Sequence, residues 1–141
     1  MRLCSLEDIS VEPLFGYVQV KSSAAQKSGV VFSEMRLTGG QAKNVTRNSI
    51  DRFSAATKDG ALYTERTYYG GNGTLEIRLP KGNGALRSLV YACVLDLCRG
   101  YLAVGGLTAV GRGIFQIQKE KKIRIGKEEY DLEGLEALLN A

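Results

Sequence analysis

Apolar residues recur at Leu86, Leu89, Val90, Cys93 and Leu97, a spacing that predicts a helix capped at Asn83 and running through Arg99. Gly100 stands where such a helix stops. A shorter helical pattern, Leu132, Leu135, Leu138 and Leu139, predicts a closing helix over 131–139. Strict alternation appears over 74–79, with Leu75, Ile77 and Leu79 on one face and Glu76 and Arg78 on the other. Preceded by a strand over 61–69 and the turn Gly70-Gly71-Asn72-Gly73, it predicts a hairpin. Upstream, 14–20 and 30–37 are candidate strands separated by a loop over 22–29. Downstream, 114–118 is a strand, with 122–125 pairing to it across a charged turn. Residues 39–60 are polar and carry no sustained period, too long for an ordinary connection. Segments of that kind are usually functional or disordered. No internal repeat or low-complexity tract is present.

Length changes the picture only by bounding it: 141 residues make one domain, long enough to bury a core. With 44% hydrophobic and 24% charged residues, the chain has the composition of an ordinary soluble protein. No apolar run reaches the roughly 20 residues that cross a bilayer, so no membrane role is expected. Acids at Glu7 and Asp8 occupy the place of a signal peptide's apolar stretch, and the expected location is the cytoplasm. The sequence contains no histidine, which removes Ser-His-Asp and Cys-His nucleophile pairs and any histidine-based zinc site. Cys4, Cys93 and Cys98 lack metal or redox spacing, and the latter two are expected as buried thiols on the helix. No cofactor or metal is implied.

The net charge of +4 is unevenly placed. From Arg36 to Arg66 there are six bases against three acids, and no acid falls between Met35 and Ile50. Such a window suits a polyanion, although basic windows are often only solvated faces. A second basic cluster, 119–127, contains Glu120 and reads as a solvated turn. After the long helix comes Gly105-Gly106-Leu107-Thr108-Ala109-Val110-Gly111-Arg112-Gly113, four glycines in nine residues. Two readings stand side by side: a cradle for phosphate oxygens, or a tight connection that needs glycine for its geometry. Neither nucleotide-binding glycine fingerprint fits, which disfavours ATP and NAD.

The order strand, helix, glycine loop, strand is half of a ferredoxin-like unit, leaving a sheet edge and an apolar helix face to be covered. The fold class expected is α+β, a partial or variant ferredoxin-like (RRM-like) domain with an inserted segment. One stretch is more specific: Val45-Thr46-Arg47-Asn48-Ser49-Ile50-Asp51-Arg52-Phe53, continuing to Glu65. It resembles the Ile-Asp-Arg segment and following strand of the RAMP superfamily, the backbone subunits of type III CRISPR interference complexes. The glycine loop resembles that family's C-terminal loop, and the ending Tyr130-Asp131-Leu132-Glu133-Gly134-Leu135 resembles its ending.

The resemblance implies a structural subunit that binds CRISPR RNA and target RNA alongside other effector subunits. Its thumb, over 39–60, would wedge into the guide–target duplex through Lys43, Arg47, Asn48, Ile50, Asp51 and Arg52. Thr64 and Arg66 on the next strand join the candidate RNA-binding set. Gly105, Gly106, Thr108, Gly111, Arg112 and Gly113 represent the loop. Arg47, Arg52 and Lys43 suit phosphates, and Ile50 and Phe53 suit an unstacked base. Asp51 is expected to orient Arg52, and Phe53 to anchor the segment to the body.

The chain departs from the family in two places. Ala109-Val110 replaces the usual Ser-Arg, and the family's N-terminal portion is not recognisable. That portion holds the RNA-cleaving aspartate, so this chain is expected to lack its own catalytic residues, and Asp8 does not inherit the role. A separate polypeptide could supply the missing portion. Two other classes remain: a CRISPR RNA-processing ribonuclease of the same fold, which would have to work without histidine, and a protein-interaction module without RNA binding. Salt dependence separates the last from the first reading.

Overall fold

The computed structural model describes residues 11–19, 23–82 and 84–140. Asn83, Cys4 and Asp8 lie outside these. The chain is α+β and divides into two compact units, 1–30 with 79–141, and 31–78.

In the first unit, a single helical turn, α1 (Glu12–Phe15), carries Leu14 into the interior. The Leu14 carbonyl accepts from the Gly29 and Val30 amides and from Ser28 Oγ at 2.6 Å, so the chain folds back on this turn. Between these points, β1 (Tyr17–Gln19) pairs antiparallel with β2 (Ala24–Gln26). The candidate strand 14–20 is therefore part helix and part strand, and the expected loop 22–29 contains a strand.

The long helix α2 (Gly84–Arg99) forms where the periodicity places it. It stops at Gly100, whose φ of +81° lets the Tyr101 amide reach back to the Asp96 carbonyl. Strands β7 (Ile123–Ile125) and β8 (Glu128–Tyr130) pair with each other around Gly126 and Lys127. The closing helix α3 (Leu132–Asn140) is capped by Asp131, whose carboxylate accepts from the Gly134 amide at 2.7 Å. It packs on α2; Leu135 of α3 and Leu86 and Leu95 of α2 are buried, and Arg99 Nη2 meets Glu136 Oε2 at 2.5 Å.

Two expectations fail here, each for its own reason. Residues 114–118 do not form a strand with 122–125; the Ile117 amide instead satisfies the Cys98 carbonyl at the open end of α2. Only Ile114 bridges, to Ala103. Helix-end carbonyls compete for amides that the sequence pattern assigned to a sheet. Cys93 is exposed and Cys98 half-buried, so the buried-thiol expectation is corrected for Cys93. Partial burial holds the Cys98 thiol above its ordinary pKa.

The second unit is one long antiparallel ribbon. At its base β3 (Val31–Phe32) pairs with β6 (Ile77–Arg78). Farther along, β4 (Gln41–Arg47) pairs with β5 (Tyr63–Tyr69) over all seven positions. The isolated bridge Thr38–Asn72 keeps the same register on one side, and Ile50–Thr57 bridges the tip in a shifted register. The hairpin expected between 61–69 and 74–79 is therefore corrected: β5 turns to 41–47, and the alternating segment pairs instead with 31–32. Of the candidate strand 30–37, only Val31 and Phe32 are in a ladder. All ladders among the described residues are two-stranded.

Candidate nucleic-acid interface

Residues 39–60 are irregular only in part: 41–47 form one arm of the ribbon, and the irregular remainder includes its tip. Side chains alternate between faces of a strand. On β4 and β5 this puts Lys43, Val45 and Arg47 with Tyr63, Glu65, Thr67 and Tyr69 on one face. Ala42, Asn44 and Thr46 share the other with Thr64, Arg66 and Tyr68. The candidate set thus splits: Lys43 and Arg47 point one way, Thr64 and Arg66 the other.

The first face is the more covered. Thr67 is buried and its hydroxyl donates to the Lys43 carbonyl at 3.2 Å. Lys43 Nζ lies 5.8 Å from the centre of the Tyr69 ring, within cation–π range. Arg47 Nε is 3.5 Å from Glu65 Oε2, so any phosphate at Arg47 competes with a carboxylate already there. The second face is exposed throughout, with Thr46 and Thr64 hydroxyls 3.3 Å apart.

At the far end the chain reverses in a tight loop. The Asp51 amide donates to the Ala56 carbonyl at 2.9 Å and the Ala55 amide to the Asp51 carbonyl at 3.0 Å. The Asp51 carboxylate accepts from the amides of Phe53 and Ser54, at 2.8 and 3.0 Å, and from Ser54 Oγ. It therefore caps the turn, which corrects the expectation that it orients Arg52. Those two amides hold its pKa below the ordinary carboxylate value. The turn lifts its neighbours into solvent. Phe53 is 101% exposed and Ile50 68%, which overturns the expected anchoring role of Phe53. Asn48, Arg52 and Lys58 are exposed beside them.

In the other unit, the glycine loop closes on itself. The Val104 amide donates to the Gly113 carbonyl at 3.0 Å, and a Cβ at Gly113 would collide with the Val104 carbonyl. Thr108 begins a 3₁₀ turn ended by Gly111 at φ +78°. Gly105, Gly106, Thr108 and Gly111 are exposed, while Arg112 and Gly113 are half-buried. Gly113 thus has a geometric requirement, and Gly105 and Gly106 face open space.

Sequence reasoning did not single out Tyr63, Tyr68, Tyr69 or Leu62, all exposed on the ribbon. The signal was available: three tyrosines interleave with bases within β5 and its neighbour strand, the composition of a stacking surface. No protein-family model matches this chain, and no curated protein matches it. No helix among the described residues is long and apolar enough to cross a membrane.

Proposed function

We propose that this chain is an RNA-binding structural subunit of the RAMP type, acting in a cytoplasmic type III CRISPR interference complex, with the ribbon as its thumb. The observation that carries the reading is the tip: Phe53 and Ile50 uncovered, Arg52 beside them, and Asp51 spent on holding the turn. With Phe53 wholly in solvent and Ile50 mostly so, these side chains add little to folding, but they can displace or stack on a base, worth about 1–3 kcal/mol per base. Arg52, Lys58 and Lys43 supply cations along the same segment for a phosphate backbone. In this reading a ferredoxin-like sheet is completed by neighbouring subunits in the complex, one of which supplies the cleaving aspartate.

The test is titration of single-stranded and duplex RNA with the full chain at several salt concentrations. Replacing Arg47 and Arg52 together by alanine should weaken binding and reduce the salt slope by about 0.7 per lost phosphate contact. Arg52→Ala alone should account for most of the loss, because Glu65 already holds Arg47. Binding that ignores both substitutions and salt would return the ribbon to the protein-interaction reading.

A further inference from the structure

The ribbon contains a discontinuity that the tip chemistry does not use. Thr38 faces Asn72 and Gln41 faces Tyr69 with the same offset, so counting across the unpaired gap between them sets Gly39 and Gly40 against Gly71 and Gly70. Two consecutive positions in this gap therefore have no side chain on either segment. Cross-strand side-chain pairs are what stiffen a two-stranded sheet, and here that support is missing across its whole width. Three of the four glycines also have left-handed backbones, with φ of +77° at Gly39, +67° at Gly70 and +98° at Gly71. One side chain bridges the gap. The Tyr68 ring lies over Gly40 and Gly71, and the Gly40 amide donates to the Tyr68 hydroxyl at 2.9 Å. A Cβ at Gly40 would collide with that ring and sit 2.7 Å from the Gly70 carbonyl oxygen, so glycine there is what admits the tyrosine.

We propose that the facing glycine pairs are a joint in the ribbon and that Tyr68 is the positioning residue that latches it, fixing how the distal ribbon and its tip are aimed from the base at Val31 and Arg78. The ring replaces the absent cross-strand pairs on one face, as an aromatic covering a strand glycine does elsewhere. The hydroxyl ties β5 to the segment opposite at a position where no ladder pairing is present. Where affinity for RNA is concerned, this inference rests on the reading above; as a statement about the ribbon's mechanics it does not.

The experiment is nuclear magnetic resonance on the isotope-labelled full chain, without RNA. Tyr68→Phe keeps the ring and removes the hydroxyl, so the Gly40 amide should exchange about five- to tenfold faster. Residual dipolar couplings of amides in β4 and β5 should then be averaged relative to those in β3 and β6, and further averaged in Tyr68→Ala. Gly70→Asn has the opposite expectation, since asparagine tolerates the left-handed backbone with less freedom than glycine, and the site is open. It should sharpen the common alignment of the two ribbon halves, and it keeps the inference testable if a Tyr68 variant fails to fold. Equal ordering of both halves in Tyr68→Phe and in Gly70→Asn as in the parent chain would overturn the joint. In RNA titrations Tyr68→Phe should lose affinity about threefold with its salt slope unchanged, because no phosphate contact is removed. Failure of Arg47 and Arg52 substitutions to affect RNA would remove the RNA reading and leave the joint to the alignment measurement.

Discussion

At the scale of single residues, Phe53 separates two roles that one substitution can tell apart. A phenylalanine that anchored the segment would cost about 3–5 kcal/mol on truncation to alanine. With its side chain wholly in solvent, Phe53→Ala should leave the thermal midpoint within the small range of surface substitutions, about 0.5 kcal/mol. The same variant should lose RNA affinity by about 1–3 kcal/mol if the ring stacks on a base. Melting curves and titrations on one preparation give both answers. Asp51 makes a second residue-scale prediction through its turn. Its folded pKa is depressed by the Phe53 and Ser54 amides, so its contribution is present above the unfolded carboxylate value and lost as pH falls through the folded one. The Phe53 and Ser54 amide proton shifts should titrate together at a pH below the ordinary carboxylate range. In Asp51→Asn, where no proton is gained, that titration should vanish.

At the scale of elements, helices were legible and strand partners were not. Leu86, Leu89, Val90 and Leu97 gave α2 its period, and Gly100 its stop; Asp131 and the leucines after it gave α3. A helix closes its hydrogen bonds within itself, so its evidence is local. A strand's evidence is half in another segment. β4, Gln-Ala-Lys-Asn-Val-Thr-Arg, is polar on both faces, and no alternation marks it. Gly70-Gly71-Asn72-Gly73 has the residues of a turn, yet the chain does not reverse there, since Tyr69 and Asn72 on its two sides pair with Gln41 and Thr38 in the same register. The candidate site was legible as a stretch, through Ile50, Asp51 and Arg52, but its division between two ribbon faces was not, since facing depends on register. The helix pair supplies the element-scale test. Leu135 is fully buried where α3 meets α2, whereas Leu138 is 40% exposed. Leu135→Ala should cost about 2–5 kcal/mol by chemical denaturation and Leu138→Ala distinctly less. Similar losses for both would mean that α3 is seated on another face.

At the scale of the whole molecule, the two units differ in what they bury. Buried apolar side chains among the described residues are Leu14, Val30, Leu86, Leu95 and Leu135, all in the first unit. The ribbon unit buries Thr67 and no apolar side chain among its residues 31–78. An isolated two-stranded ribbon is marginal in water at best, since it lacks a second layer against which to hide one face. The two units should therefore differ in how tightly they hold their amides. In the free chain, amides of β4 and β5 should exchange at least tenfold faster than those around Leu95 in α2, whose packing against α3 must open first. An RNA or a protein partner that covers the ribbon would add the missing layer, so ribbon amides should slow in the complex while those of α2 change little. Hydrogen exchange read by mass spectrometry with and without RNA measures both halves of this expectation. Ribbon amides already as slow as those of α2 in the free chain would mean that the ribbon is held without a partner, and its lack of buried apolar side chains would then carry no argument for one.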